Sequence, residues 1–161
     1  MKKIIVLRQL PTLIKQLEAD QKSIVLVGGV FDILHIGHIR FLVESKKFAD
    51  CLMILLESDE KVKNLKGKSR PIHTQSERAE VLSQLTVVDY IVLLSSLTSD
   101  LQYQEMVTNI KPVIITATEG DPYFPQKNLQ AQEIGAEIKI IPKIKTPSTT
   151  QLAKLLHLEK T

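Results

Sequence analysis

The chain has little that would mark a specialised class. Cys51 is its one cysteine, so neither an intrachain disulfide nor a multi-cysteine metal site can form. It stands against the apolar run CLMILL (51–56), where a buried, reduced thiol is expected. Tryptophan is absent and aromatic residues make up 4%, too few for a stacking platform that grips single-stranded nucleic acid. No stretch approaches the roughly 20 apolar residues of a membrane span. The run in MKKIIVLRQLP is too short for a secretory signal. A net charge of +3 is mild and favours a local anionic ligand over a nucleic acid. A soluble, cytoplasmic protein with no membrane or nucleic-acid partner is the expectation.

Familiar chemical signatures are missing too. There is no G-x-x-x-x-G-K-[ST] phosphate loop, and GGVFDILHIGH does not satisfy the dinucleotide pattern G-x-G-x-x-G. No serine with a neighbouring base, no paired carboxylates and no reactive thiol stand out. A reaction carried by a nucleophile of the protein itself is therefore not indicated.

What is present is a regular alternation. With 161 residues, 43% hydrophobic and 24% charged, the chain has the makings of one globular domain, 1–161. Apolar, β-branched runs recur at 23–27, 51–56, 89–94, 112–116 and 137–141, separated by segments with helical spacing. Short, continuously apolar strands between helices predict a parallel sheet covered on both faces. Right-handed crossovers then give an α/β fold, a doubly wound, five-stranded parallel sheet of Rossmann-like type, with an opening helix near 10–20. Three helical faces are expected to meet the core: Phe41, Leu42, Phe48 and Ala49; Val81, Leu82 and Leu85; and Leu152, Leu155 and Leu156. The ligand of such a sheet lies beyond the carboxyl ends of its strands, where the following helices begin.

GGVFDILHIGH, residues 28–38, falls at such a corner. The strand SIVLV ends at its glycines, and a helix starts near Gly37. A helix start offers free N–H groups and partial positive charge, which suits phosphate. Gly37 would let ligand oxygens approach that backbone. His35 and His38 stand three apart and can add donors on one side of the helix. The spacing alone also fits two histidines that cap a helix. Zinc would need a third ligand, which Asp32 could supply, but no metal site is assigned.

Further signals fall on the same rim. Lys61, Lys63, Lys66, Lys68 and Arg70 crowd the loop ESDEKVKNLKGKSRPIH, with Lys61 and Lys68 read as solvated. Thr74 and Glu77 make a T-x-x-E capping box, so a helix begins at Gln75. Arg78 then lies on its core-facing side, where an unpaired charge is costly and an anion is the expected partner. His73 is expected to be exposed. Ser148 and Gln151 form a second box, with Thr149 and Thr150 in the first turn.

GGVFDILHIGHIRFL resembles the signature of the cytidylyltransferase-like nucleotidyltransferases, a G-x-F-D-x-x-H-x-G-H corner. The resemblance extends through SRPIHTQSERAEVLSQLTVVDYIV to STT, most of the chain. It implies that His35, His38 and Lys66 are catalytic, the histidines at the transferring phosphoryl group and the lysine folded over the triphosphate. Gly29, Val30, Phe31, Gly37, Arg70, Arg78, Ser148, Thr149 and Thr150 would bind nucleotide. Asp32, holding the turn, and Asp121 would stand on the acceptor side. The substrates implied are an NTP, ATP before CTP, and a phosphorylated small molecule, with Mg²⁺ as counter-charge and a homodimer as assembly. The closest branch acts on sugar phosphates, represented by heptose 1-phosphate adenylyltransferase. Glycerol 3-phosphate cytidylyltransferase and FAD synthetase are neighbours, and a non-catalytic nucleotide-binding protein is the reading of different class. GGVFD departs from the usual N-G-C-F-D. TATEGDPYFPQKN departs from K-G-G-D-Y, with Thr118 or Glu119 in the lysine's place and Pro122 inserted. Asp121 could bind an acceptor hydroxyl or cap the helix beginning near Pro122.

Overall fold

The computed structural model describes residues 3–96 and 99–156. Six parallel strands form its sheet: β1 (Ile4–Val6), β2 (Ile24–Gly29), β3 (Cys51–Leu56), β4 (Tyr90–Leu93), β5 (Ile114–Thr118) and β6 (Glu137–Ile141). The helices are α1 (Leu10–Ala19), α2 (Ile36–Lys46), α3 (Asp59–Lys66), α4 (Gln75–Ser83), α5 (Asp100–Ile110), α6 (Phe124–Ile134) and α7 (Thr149–Leu155). Strand order is β1-β4-β3-β2-β5-β6, so the chain winds outward from β2 in one direction and from β5 in the other.

The expected sheet had five strands; the structure adds β1 at its edge, with Ile4 opposite Ile91. Three residues show no periodicity, and only pairing with β4 makes them a strand. A second correction concerns the basic loop, whose first part is helix α3. Ser58 caps it by accepting from the Lys61 amide at 3.2 Å, and Asp59 and Glu60 favour its positive end.

The period-two alternation of the strands divides the core. Ile24 and Leu26, Met53 and Leu55, Tyr90 and Val92 face one side, packed with Leu13, Leu17, Val107 and Ile110 of α1 and α5. Val25 and Val27, Leu52 and Ile54, Ile91 face the other, against Leu42, Ala79 and Leu82 of α2 and α4. Both faces of β3 are therefore buried over its whole length. Four expected core residues are exposed instead: Phe48, Val81, Leu155 and Leu156. Leu82 is buried as expected, Ala153 is the buried apolar residue of α7, and Phe48 lies beyond the end of α2. Cys51 is buried, and burial raises its thiol pKa, in keeping with an inert thiol. Among the described residues no helix is long and apolar enough to cross a membrane.

Candidate functional site

The winding direction reverses between β2 and β5, and a cavity of about 810 Å³ opens beyond their carboxyl ends. This is where an open α/β sheet binds its ligand, because the connections leave toward opposite faces and part there. Of the expected site residues, Gly29, Val30, Phe31, His35, Gly37, His38, Asp121 and Ser148 line it. Asp32, Lys66, Arg70, Arg78, Thr149 and Thr150 do not.

The corner is built tightly. Phe31 has φ +47°, a left-handed conformation that a bulky residue adopts only under constraint. Its ring fills the space beside Gly29, where a Cβ would stand 2.8 Å from Phe31 Cε2, and lies 5.3 Å from the His38 ring. His35 is the N-cap of α2, and its Nδ1 accepts from the Gly37 amide at 3.1 Å. That bond places the neutral ring's proton on Nε2. Gly37 therefore does not offer open backbone, as its spacing suggested. A Cβ there would meet His35 Cε1 at 2.8 Å and Thr146 Cγ2 at 3.1 Å. Glycine lets the imidazole fold back over its own helix.

The two imidazoles stack with centroids 3.9 Å apart. His38 is pushed down to about 4, by burial first and then by His35 and the Lys66 charge. Burial also lowers His35. At neutral pH His38 is therefore uncharged in the free protein. His38 Nδ1 is buried with no hydrogen-bond partner among the described residues. Such a polar atom, left beside a cavity, is ready for a ligand's hydrogen bond. Lys66, last residue of α3 and exposed, contributes through its field at this ring.

The buried arginines serve the frame. Arg70 Nε donates to Asp32 Oδ2 at 2.6 Å, both side chains 1% exposed. Asp32 also accepts from the Ile72 and His73 amides at 2.9 and 3.0 Å. Burial pushes its carboxyl up, but the His73 and Ile72 amides and Arg70 together hold it below the ordinary range. Asp32 thus holds the turn, as expected, and Arg70 is turned away from the cavity. Arg78 was right to be buried, but its partners are protein. Its guanidinium donates to the carbonyls of His73, Val30 and Glu57 and pairs with Asp59 Oδ1 at 2.8 Å. It ties the ends of β2 and β3 to the start of α4. His73 is exposed, as expected.

At α7, both members of the Ser148–Gln151 capping box are made. Thr149 Oγ1 donates to the Ile33 carbonyl at 3.1 Å, pinning that helix start to the β2–α2 loop. Asp121 Oδ1 accepts from the Tyr123 amide at 2.8 Å and Oδ2 from Lys127 Nζ at 2.7 Å; the N-cap of α6 is Tyr123, with no side-chain cap bond, so Asp121 braces the turn before the helix instead of capping it.

Sequence reasoning missed several lining residues. Arg40 and Glu44 follow Gly37 by three and seven positions along α2, a stripe legible once that face is known. Thr118, Lys127 and Thr146 carry no local signal. Among the described residues no group of three or more His, Cys, Asp or Glu could hold a metal ion. With Asp32 and Asp121 both engaged, these residues do not form a protein cage.

The sequence profile of the cytidylyltransferase-like family matches residues 26–156. The bifunctional protein HldE of Aliarcobacter butzleri (strain RM4018) is 38% identical over 136 residues, 84% of this chain and 27% of that protein. The HldE of Desulfatibacillum aliphaticivorans is 34% identical over 149 residues, 91% of this chain and 29% of that one. The chain thus spans under a third of the length of these curated relatives. Among solved structures, the lipopolysaccharide core biosynthesis protein from Thermoplasma volcanium GSS1 matches with TM-score 0.62 and 32% identity, over 78% of this chain and 98% of that one. Pantoate-beta-alanine ligase from Francisella tularensis, at 15% identity and TM-score 0.61 over 89% of this chain and 69% of its own, shows the likeness of fold alone.

Proposed function

The chain belongs to the cytidylyltransferase-like family, and from that premise we propose that it transfers a nucleoside monophosphate from an NTP to a phosphorylated small molecule, releasing pyrophosphate. The observation that carries this reading is the stacked His35–His38 pair beside the cavity where the sheet changes winding direction. An acceptor phosphate is ionised at neutral pH and needs no base. Attack of its oxygen on the α-phosphorus forms one P–O bond while the bond to pyrophosphate breaks. The protein's part is to position the two substrates and stabilise charge in line. His35 Nε2–H points one donor at the phosphates. His38, neutral when free, gains basicity beside the incoming anion and becomes a second. Lys66 adds its field from the end of α3. Magnesium, carried in by the phosphates, supplies counter-charge when bound.

A smaller cavity of about 280 Å³ adjoins the first along Gly28, Gly29 and Val30. Glu57, Tyr103, Gln126 and Gln130 give it a polar lining suited to hydroxyl groups, so we place the acceptor there. Asp32 and Asp121, committed to protein partners, frame the site and leave acceptor recognition to this lining. A sugar phosphate, with ATP as donor, is the acceptor class supported by the sequence resemblance and by the polar wall.

The test is pyrophosphate release from ATP or CTP with Mg²⁺ and heptose 1-phosphate, mannose 1-phosphate, glycerol 3-phosphate or FMN. Release with ATP and a sugar 1-phosphate is expected. Binding of nucleotide with no release from any combination overturns transfer and favours a non-catalytic nucleotide-binding protein.

A further inference from the structure

The two cavities share the backbone edge Gly28–Val30 and one charged side chain, Lys127 of α6. The edge is bare because a Cβ at Gly28 would stand 2.7 Å from Tyr103 Oη, inside the smaller cavity, and one at Gly29 would strike the Phe31 ring. At Gly28 and Gly29 no side chain stands between the two spaces. Lys127 overlooks both from across that edge, its side chain 15% exposed.

Its position is fixed. Nζ donates to Asp121 Oδ2 at 2.7 Å, while Asp121 Oδ1 is held by the Tyr123 amide. An ammonium has three N–H donors, and among the described residues Asp121 is the one protein acceptor this group meets. The side chain lines both cavities, so its other donors are within reach of ligands in either. A lysine serving only to start α6 would have no need to border both.

We propose that Lys127 bridges the α-phosphate of the nucleotide in the larger cavity and the phosphate of the acceptor in the smaller one. This rests on the transfer reading above and deepens it. Two phosphates brought to bonding distance repel each other. A shared ammonium offsets that repulsion most strongly as they close, with one charge-assisted hydrogen bond to each. In the step itself the acceptor oxygen donates an electron pair to the α-phosphorus, pyrophosphate departs with the pair of the broken P–O bond, and Lys127 keeps all its protons. Asp121 is a positioning residue, acting through Lys127.

Steady-state kinetics with ATP and heptose 1-phosphate, with nucleotide binding by calorimetry, test the assignment on the wild type, Lys127→Met, Lys127→Arg and Asp121→Asn. Lys127→Met is expected to lower kcat/KM for the acceptor by about a hundredfold or more. ATP affinity should shift far less, within about threefold, because the other phosphate donors remain. Lys127→Arg should recover part of the loss, and Asp121→Asn should lower kcat less than Lys127→Met. Should Lys127→Met not fold, the other two variants decide: wild-type kcat in both overturns the bridge. So does a folded Lys127→Met with unchanged kcat/KM, or with equal losses toward ATP and acceptor. In each case the turnover of the wild type leaves the transfer reading standing. A wild type that binds ATP and transfers to no acceptor overturns the transfer reading, and the bridge falls with it.

Discussion

At the residue scale, His38 carries the clearest consequences. Its pKa of about 4 lies below the ordinary 6.5 because burial, His35 and Lys66 all oppose its charge. Between those values the unfolded chain holds a proton that the folded chain does not. The stability it contributes is fully present above about pH 6.5 and is lost as pH falls toward 4. On lowering the pH from 7 to 4.5, wild type should lose on the order of 2–3 kcal/mol more than His38→Gln. Urea unfolding at the two pH values measures this; equal losses would show that His38 is not depressed. In turnover, His38→Ala should cost about a hundredfold in kcat, the usual effect of removing one donor aimed at developing charge. A near-wild-type rate of pyrophosphate release would remove His38 from the reaction. The sequence exposed this residue because glycine, aspartate and two histidines at one corner are chemically conspicuous. It could not reveal that the ring is neutral, since that depends on what surrounds it.

At the scale of elements, the helix starts were the most legible feature. The box at Thr74 forms as its spacing requires: Thr74 Oγ1 accepts from the Glu77 amide at 3.3 Å, and Glu77 Oε2 from the Thr74 amide at 2.8 Å. Capping is a matter of nearest neighbours, so four residues suffice to read it. Thr74→Ala should lower stability by about 1 kcal/mol, measured as a change in urea midpoint at constant slope. Since α4 carries Arg78 one turn later, the variant also tests how firmly that guanidinium holds the β2 and β3 ends. Helix faces were less legible. Val81, Leu155 and Leu156 fit apolar stripes by spacing, yet they are exposed, while Leu82 of the same expected stripe and Ala153 are buried. Spacing alone cannot say which side of a helix the rest of the chain will cover.

At the scale of the whole molecule, the Asp32–Arg70 pair joins segments 38 residues apart. It fastens the β2–α2 corner to the loop before α4, and with both side chains 1% exposed it is out of water. Asp32→Ala breaks this buried ion pair and also takes the acceptor from the Ile72 and His73 amides, so it should cost about 3–5 kcal/mol. Arg70→Met alone should be similarly damaging. The Asp32→Leu, Arg70→Met double variant should lose clearly less than the sum, because both single changes break the same ion pair. Strict additivity in chemical denaturation would mean that the two side chains do not depend on each other. The bridging lysine also belongs to this scale, since the two cavities it overlooks are lined by residues from Gly28 to Ser148.

The sequence by itself determined the alternating α/β architecture, the parallel sheet, the edge where the larger cavity opens and the imidazole pair. Each rests on short-range periodicity or on a cluster of reactive residue types. Tertiary structure alone decided the sixth strand, the protein partners of Arg70 and Arg78, the neutrality of His38 and the placing of Lys127 on the edge between two cavities. All four depend on which distant groups share a low-dielectric space, and that is set only when the sheet closes its order.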